Sequence, residues 1–365
     1  MKVTAEREKL LAPLQAVMGV VERRQTMPVL ANVLLNVRQG KLFVTATDLE
    51  VELVSAGEVT VLEAGDITVP GRKLLDILRA LPEKLVVSLV VEGEKVVIKA
   101  GRSRFSLTTL PAAEFPVIED IHAQQSVQLP RKELLRLVEK THFSMAQQDV
   151  RYYLNGMLLE IDGQVLRAVA TDGHRLALSE APLSVKAKTS QQVIVPRKGV
   201  LELQRVLTEE GDAELAIGTN HVRAQIGDVR FTSKLIDGRF PEYSRVIPAA
   251  ASHGIRADRD ILRQALQRTA ILSNEKYRGI RISVKNNVLT VQAHNPEQEE
   301  AEEEIEVAYA GKDLEVGFNV NYLLDALAAI DGQEVELGIT DSNSSCLIRS
   351  PGNAASRYVV MPMRL

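Results

Sequence analysis

Residues 131–176 read RKELLRLVEKTHFSMAQQDVRYYLNGMLLEIDGQVLRAVATDGHRL, and this stretch is the middle copy of a unit that occurs three times. Leu134, Leu135 and Val138 form an apolar stripe at helical spacing, while Lys132, Arg136 and Lys140 lie four apart on another face. YLNGMLLEI and VLRAVA then read as strands about an Asp162-Gly163 hairpin turn, and the unit reaches Thr171-Asp172.

Working outward, the first copy has Leu10, Leu11, Leu14 and Val17 at helical spacing, with a kink expected at Pro13. VLANVLLNV and KLFVTAT follow as strands around Gln39-Gly40, and Thr47-Asp48 closes the unit. The third copy has Ile261, Leu262, Ala265 and Leu266, then GIRISV and VLTVQA around Asn286-Asn287, with His294-Asn295 in the Thr-Asp place. Each copy has a second half made of a strand and an amphipathic helix: ITVPGRKLLDILRALP, VIVPRKGVLELQRVL and VGFNVNYLLDALAAI. Arg104-Phe105 before EFP, Arg230-Phe231 before RFP and Arg357-Tyr358 before Met361-Pro362 keep the same register. A repeat of about 124 residues is far longer than solenoid periods, so it predicts three like domains of six helix-plus-strand units.

Of the 365 residues 45% are hydrophobic, a globular content that supplies a core for each domain. No apolar run approaches the ~20 residues of a membrane span, and the start, MKVTAEREKLL, is charged where a signal peptide is apolar. The single cysteine, Cys346, excludes an internal disulfide and multi-cysteine metal motifs. A cytoplasmic location is expected. The net charge of -4 argues against a nucleic-acid binder, but its distribution argues for one. Arg72, Lys73 and Arg79, then Arg131, Lys132, Arg136 and Lys140, then Arg197, Lys198 and Arg205, then Arg259, Arg263 and Arg268 crowd the helices, while acid collects in EQEEAEEE at 297–304. Solvated helix faces and helices aimed at one polyanion both fit this pattern.

Phosphate-loop, dinucleotide-loop, zincin and nucleophile-elbow motifs are absent, and no histidine spacing suits a metal. Asp172 and His174 could serve a hydrolase, although an Asp-Gly turn beside a structural histidine is the commoner reading. No catalytic set, metal or cofactor is expected. The tyrosines of QDVRYYLNG, beside Arg151 and Gln148, can stack on nucleic acid or fill a core.

The segments MKVTAEREKLL, VRYYLNGML, ATDGHRLAL, VPRKGV, SNEKYRG, HNPEQEEAEEE and YVVMPMRL, in this order along the whole chain, resemble the bacterial DNA polymerase III beta subunits, the sliding clamps. The resemblance implies an α+β DNA-clamp fold, with three similar domains at 1–120, 126–246 and 252–365, and a head-to-tail homodimer closed as a ring on double-stranded DNA. It implies DNA contacts at Arg24, Arg72, Gln148, Tyr152 and Tyr153, to which Lys198 is added. A cleft for short apolar peptides falls on Leu154, Thr171, Gly173, His174, Arg175, Leu176, Pro241, Arg245, Val246, Val359, Met361, Pro362 and Met363. The implied users are the polymerase III alpha subunit, the clamp loader, translesion polymerases, mismatch-repair proteins and ligase. The ring seam sets Phe105 and Leu107 against Ile271 and Leu272, with Lys73, Arg102 and Arg104 facing Glu297 and Glu300. A cytosolic scaffold, or a hydrolase built on Asp172 and His174, is the alternative.

Overall fold

The computed structural model describes residues 1–21, 27–118, 121–208, 210–249 and 253–364. The first third contains β1 (Lys2–Glu6), α1 (Arg7–Val17), β2 (Asn32–Arg38), β3 (Lys41–Thr47), β4 (Val51–Glu58), β5 (Thr60–Glu63), β6 (Gly65–Pro70), α2 (Gly71–Ala80), β7 (Val86–Glu92), β8 (Lys95–Ala100) and β9 (Ser103–Thr108). The middle third contains β10 (Gln125–Pro130), α3 (Arg131–Glu139), β11 (Gly156–Asp162), β12 (Val165–Thr171), β13 (Arg175–Pro182), β14 (Gln191–Pro196), α4 (Arg197–Val206), β15 (Asp212–Ile217), β16 (His221–Ile226) and β17 (Val229–Lys234). The last third contains β18 (Ile255–Asp258), α5 (Arg259–Thr269), β19 (Gly279–Lys285), β20 (Val288–His294), β21 (Glu300–Glu306), β22 (Leu314–Asn319), α6 (Val320–Ala329), β23 (Glu334–Gly338), β24 (Cys346–Ser350) and β25 (Asn353–Val360). Helices and antiparallel strands thus recur three times in one order, as the repeat predicts, with one extra strand, β5, in the first third.

One local expectation changes. Residues 28–31, which include the Val29-Leu30-Ala31 start of VLANVLLNV, form a 3-10 turn, because Pro28 opens it without an N–H to give to a ladder. Helix α1 runs through Pro13. The proline cannot donate to the Lys9 carbonyl, and that carbonyl leans over Gly57, where a Cβ would sit 2.5 Å from it.

An arginine begins the first helix of each third and does the same work each time. The Arg7 N–H donates to Leu85 O and its Nη1 to Leu81 O (2.7 Å), just past the end of α2. The Arg131 N–H donates to Gly211 O and its Nε to Asp212 O (3.0 Å), past the end of α4. The Arg259 N–H donates to Gln333 O and its Nη1 to Ile330 O (2.9 Å), past the end of α6. Each guanidinium satisfies carbonyls beyond the second helix, where backbone acceptors lose their helical partners.

The Thr-Asp pairs are turns. Thr47 Oγ1 donates to Val51 O and Thr171 Oγ1 to Arg175 O, while Asp48 Oδ1 accepts from the Glu50 and Val51 N–H groups and Asp172 Oδ1 from those of His174 and Arg175. Asn295 makes the corresponding turn, accepting from the Glu299 N–H.

Contact density divides the chain into two compact units. One is Met1–Leu135, Leu183–Lys188 and Lys198–Leu235; the other is Arg136–Pro182, Thr189–Arg197 and Ile236–Leu365. The first holds a five-stranded sheet, β5-β1-β7-β8-β9, and an eight-stranded sheet, β10-β15-β16-β17-β4-β3-β2-β6. The second holds an eight-stranded sheet, β14-β11-β12-β13-β25-β24-β23-β18, and a four-stranded sheet, β21-β20-β19-β22. Both large sheets arise because a strand from one third pairs with a strand from the next, β4 with β17 and β13 with β25. Phe231 sits opposite Leu53 and Tyr358 opposite Ala177 at these seams, and both aromatic side chains are fully buried.

Arg259→Met leaves the Ile330 carbonyl without this donor. It is expected to cost about 1–3 kcal/mol, read as a lower urea midpoint with an unchanged slope.

Candidate functional site

In the second unit a cleft of about 170 Å³ is lined by Arg151, Tyr153, Leu154, Thr171, Gly173, Arg175, Leu176, Pro241, Tyr243, Val246 and Met361. Its floor is the outer apolar face of β11, β12, β13 and β25. Leu158, Val169, Leu176, Leu178, Ile194, Phe240, Leu347 and Val359 pack there, flanked by Tyr153, Tyr243, Val246 and Ile247. Phe240 of the second linker plugs this face and holds the following residues over it as a wall.

Of the expected cleft residues, Leu154, Thr171, Gly173, Arg175, Leu176, Pro241, Val246 and Met361 are brought together. Val359 is buried in the floor beneath, and His174, Arg245, Pro362 and Met363 lie off the lining. Arg245 pairs with Glu242 at 2.9 Å, and the Met363 N–H is tied to Gly317 O. The sequence reading missed Arg151 and Tyr243 for the cleft and gave Tyr153 to DNA alone, and Tyr153 also lines the cleft. The YY doublet carried the signal: it lies on a 3-10 turn, Tyr152–Leu154, which leaves Tyr152 58% exposed and turns Tyr153 toward the cleft.

Arg175 is the strut of the site. Its Nε meets Asp172 Oδ2 at 3.0 Å, Nη1 meets Asp325 Oδ2 at 2.5 Å, and Nη2 donates to Phe143 O at 2.7 Å. Its guanidinium lies over the Tyr322 ring, 4.6 Å from the centroid. Asp172 is therefore occupied by its turn and by Arg175, and the exposed His174 meets it only through the backbone N–H. The pair lacks the geometry of a hydrolytic dyad. Gly173 has φ +89, and a Cβ there would lie 3.0 Å from an Arg151 nitrogen, so the cleft rim requires glycine. Arg151 is itself fixed by Asp149 at 2.8 Å, and that salt bridge holds the Asp149 carboxyl down at about 2.

Behind the wall, Glu160 is buried and accepts from the Tyr243 hydroxyl, from Gln192 Nε2 (2.5 Å) and from Arg167 Nη1 (3.1 Å). Burial pushes the Glu160 carboxyl up, but those three donors outweigh it and its pKa falls below the usual value. Burial, then the bond to Glu160, pushes Tyr243 up to about 12.

The residues assigned to DNA lie apart in the chain. Arg24 is outside the described residues. In the first unit Arg72 is exposed, although its Nη2 donates to Val21 O, and Lys198 pairs with Asp48. In the second, Gln148 is exposed at φ +56 and Tyr152 is exposed beside it. Several helix cations read as available are instead used internally. Arg136 donates to Ser179 and Glu180 O, Lys140 to Ala329 O and Asp331, Arg205 to Ala16 O, and Arg268 to Glu303.

Phe105 and Leu107 are half-buried on β9, an edge strand of the five-stranded sheet. Ile271 is 75% exposed and Leu272 half-buried after α5, near β21, an edge strand of the four-stranded sheet. Lys73, Arg102, Arg104, Glu297 and Glu300 are all exposed. Along β21 the glutamates 300, 302, 304 and 306 point outward, while Ala301, Glu303 and Ile305 point in. Among the described residues no cluster of His, Cys, Asp or Glu suits a metal ion, and no helix is long and apolar enough to cross a membrane.

Residues 1–119, 128–242 and 244–364 match the family descriptions "DNA polymerase III beta subunit" N-terminal, central and C-terminal domain. The chain belongs to the DNA polymerase III beta subunit family. The beta sliding clamps of Pseudomonas aeruginosa and of Escherichia coli strain K12 are 54% and 52% identical to it, with all of both chains covered. A crystal structure of the Pseudomonas aeruginosa subunit superposes with a TM-score of 0.98 at 53% identity, and Caulobacter crescentus pol III beta with 0.95 at 40%, each over the full length. As a member of this sliding-clamp family the chain is a processivity factor in DNA replication rather than an enzyme, with DNA and a polymerase as partners. Its three domains of antiparallel sheets and helices are the clamp fold, which closes as a ring through a dimer.

Two outcomes test the site. Arg175→Lys keeps the charge but loses the fork that spans Asp172, Asp325 and Phe143 O, and is expected to lower stability by about 2 kcal/mol in urea unfolding. A raised tyrosine pKa contributes stability below the unfolded value, near 10, that is lost as pH rises through the folded one, and a lowered carboxylate pKa contributes stability lost only in acid below the usual 4.5. The Glu160–Tyr243 bond should therefore persist across the whole neutral range. Ultraviolet titration is expected to show one tyrosine ionising near 12, absent in Tyr243→Phe.

Proposed function

We propose that two copies of this chain pair head to tail through β9 of one and β21 of the other, and that the ring slides on duplex DNA while partners dock in the Leu176 cleft. The observation that carries the reading is the pair of unmatched edges. Within the chain, β4 pairs with β17 and β13 with β25; β21 is the counterpart of β4 and β13, and β9 of β17 and β25. Ala46, Ala170 and Ala293 face Leu53, Ala177 and Ala301 in the three hairpins, which makes Ala301 the counterpart of Leu53 and Ala177. Phe105 should then face Ala301 of the other copy, as Phe231 faces Leu53, and Arg104 should face Glu302. Ile271, Leu272 and Leu107 supply apolar burial, while Lys73, Arg102 and Arg104 against Glu297 and Glu300 set orientation. Exposed ion pairs add only ~0–1 kcal/mol each, so the apolar part dominates affinity.

Three domains at 1–120, 126–246 and 252–365 supply the ring, in the cytoplasm. Arg24, Arg72, Gln148, Tyr152, Tyr153 and Lys198 supply weak, sequence-blind contacts. A net charge of -4 suits that role, since topology retains the ring and tight phosphate binding would stall it. Leu154, Thr171, Gly173, His174, Arg175, Leu176, Pro241, Arg245, Val246, Val359, Met361, Pro362 and Met363 form the docking region. Its users are the polymerase III alpha subunit, the clamp loader, translesion polymerases, mismatch-repair proteins and ligase. A Pseudomonas aeruginosa clamp 54% identical to this chain was solved bound to griselimycin, which supports a ligand site on clamps of this kind.

Loaded with a clamp loader and ATP, the protein is expected to stay on nicked circular DNA and to leave the same DNA once linearised. Equal retention on both would reduce the ring to ordinary binding. Ile271→Ala with Leu272→Ala is expected to sediment as a monomer at low micromolar concentration, and an intact dimer would refute the seam.

A further inference from the structure

The outer face of the second unit's large sheet carries a polar row beside an apolar one. In strand register Gln192 faces Glu160, Glu160 faces Arg167, and Arg167 faces Glu180. Arg167 joins Glu160 at 3.1 Å to Glu180 at 2.6 Å, and Arg357 reaches Glu180 at 3.1 Å. The next row, Ile194, Leu158, Val169 and Leu178, is apolar and lies under the linker. The linker leaves the sheet after the Ile236 N–H bonds to Ile194 O. From Pro241 to Val246 it forms one wall of the cleft, and its local bonds, Arg245 N–H to Glu242 O and Val246 N–H to Tyr243 O, lie within the wall itself. Apolar packing, that of Phe240 included, resists lifting of the linker more than small slides along it, because hydrophobic contacts have no fixed direction. Tyr243 ends that freedom: its ring lines the cleft and its hydroxyl reaches the fixed carboxylate of Glu160.

We infer that Tyr243 is a positioning residue, whose hydroxyl bond to Glu160 fixes the outer wall of the cleft and so sets its affinity for an apolar peptide. The inference rests on the cleft being the docking site. A hydrogen bond to a charged, buried acceptor is among the strong ones, and a cavity of about 170 Å³ leaves little slack for a displaced wall. Because the bond lies outside the cleft, it acts on a ligand only through the placement of the Tyr243 ring and its neighbours Pro241 and Val246.

The test uses the full-length protein and griselimycin as probe, with rates read by surface plasmon resonance. Tyr243→Phe keeps the ring and is expected to bind about tenfold more weakly, through faster dissociation at unchanged association. Glu160→Gln retains an acceptor and is expected to lose less. The double variant is expected to lose no more than Tyr243→Phe alone, since that change already removes the bond that Glu160→Gln weakens; losses that add would mean two separate structural effects and would overturn the inference. Wild-type affinity in Tyr243→Phe, with Leu176→Ala still weakened, would overturn the positioning role alone. Failure of Leu176→Ala and Met361→Ala to weaken binding would overturn the cleft assignment and the inference with it.

Discussion

A strand edge with unmatched backbone groups is a ready template for another strand, and pairing of such edges organises the chain. Each third makes two short sheets, and each sheet ends in an exposed ladder. Four of these edges are matched within the chain, in two pairings, β4 with β17 and β13 with β25. The resulting eight-stranded sheets cross from one third to the next, and for that reason the compact units of the molecule do not coincide with its repeats. Backbone pairing that is continuous across a boundary binds two domains more firmly than linker length would suggest.

Much of this was legible in the sequence because the repeat preserves chemistry as well as hydropathy. The Asp162-Gly163 hairpin, the Thr-Asp turns and the Arg-aromatic pairs all stand where their spacing puts them. The arginine clasp was equally available, since Arg7, Arg131 and Arg259 share one register. It stayed hidden because an arginine at a helix start reads as surface charge until its acceptor, more than seventy residues away, is known. The same blindness made Arg136, Lys140 and Arg268 look free when their partners lie on other elements. In the cleft, residues of the TDGHRL motif were legible, whereas Tyr243 lies in a linker with no periodicity to betray which way it faces.

The two seams differ in what stands opposite their linkers. In the second unit Leu176 offers an apolar floor beside Phe240. In the first unit the corresponding position is Glu52, buried, with its carboxylate accepting the Ile118 N–H of the first linker. Both seams leave a cavity, but the one beside Glu52 is walled by polar side chains such as Asn36, Arg38, Lys41 and Arg230, while the one beside Leu176 is walled largely by apolar ones.

The outward glutamates of β21 have a further consequence for errors of assembly. Two acidic edges brought together would set carboxylates against carboxylates, and two β9 edges would oppose Arg102 and Arg104 to themselves. Like-to-like pairing, the simplest way for identical molecules to meet, is the one these charges penalise. In the head-to-tail pairing proposed above, the acidic run would serve as a polarity mark, setting one edge against its own kind.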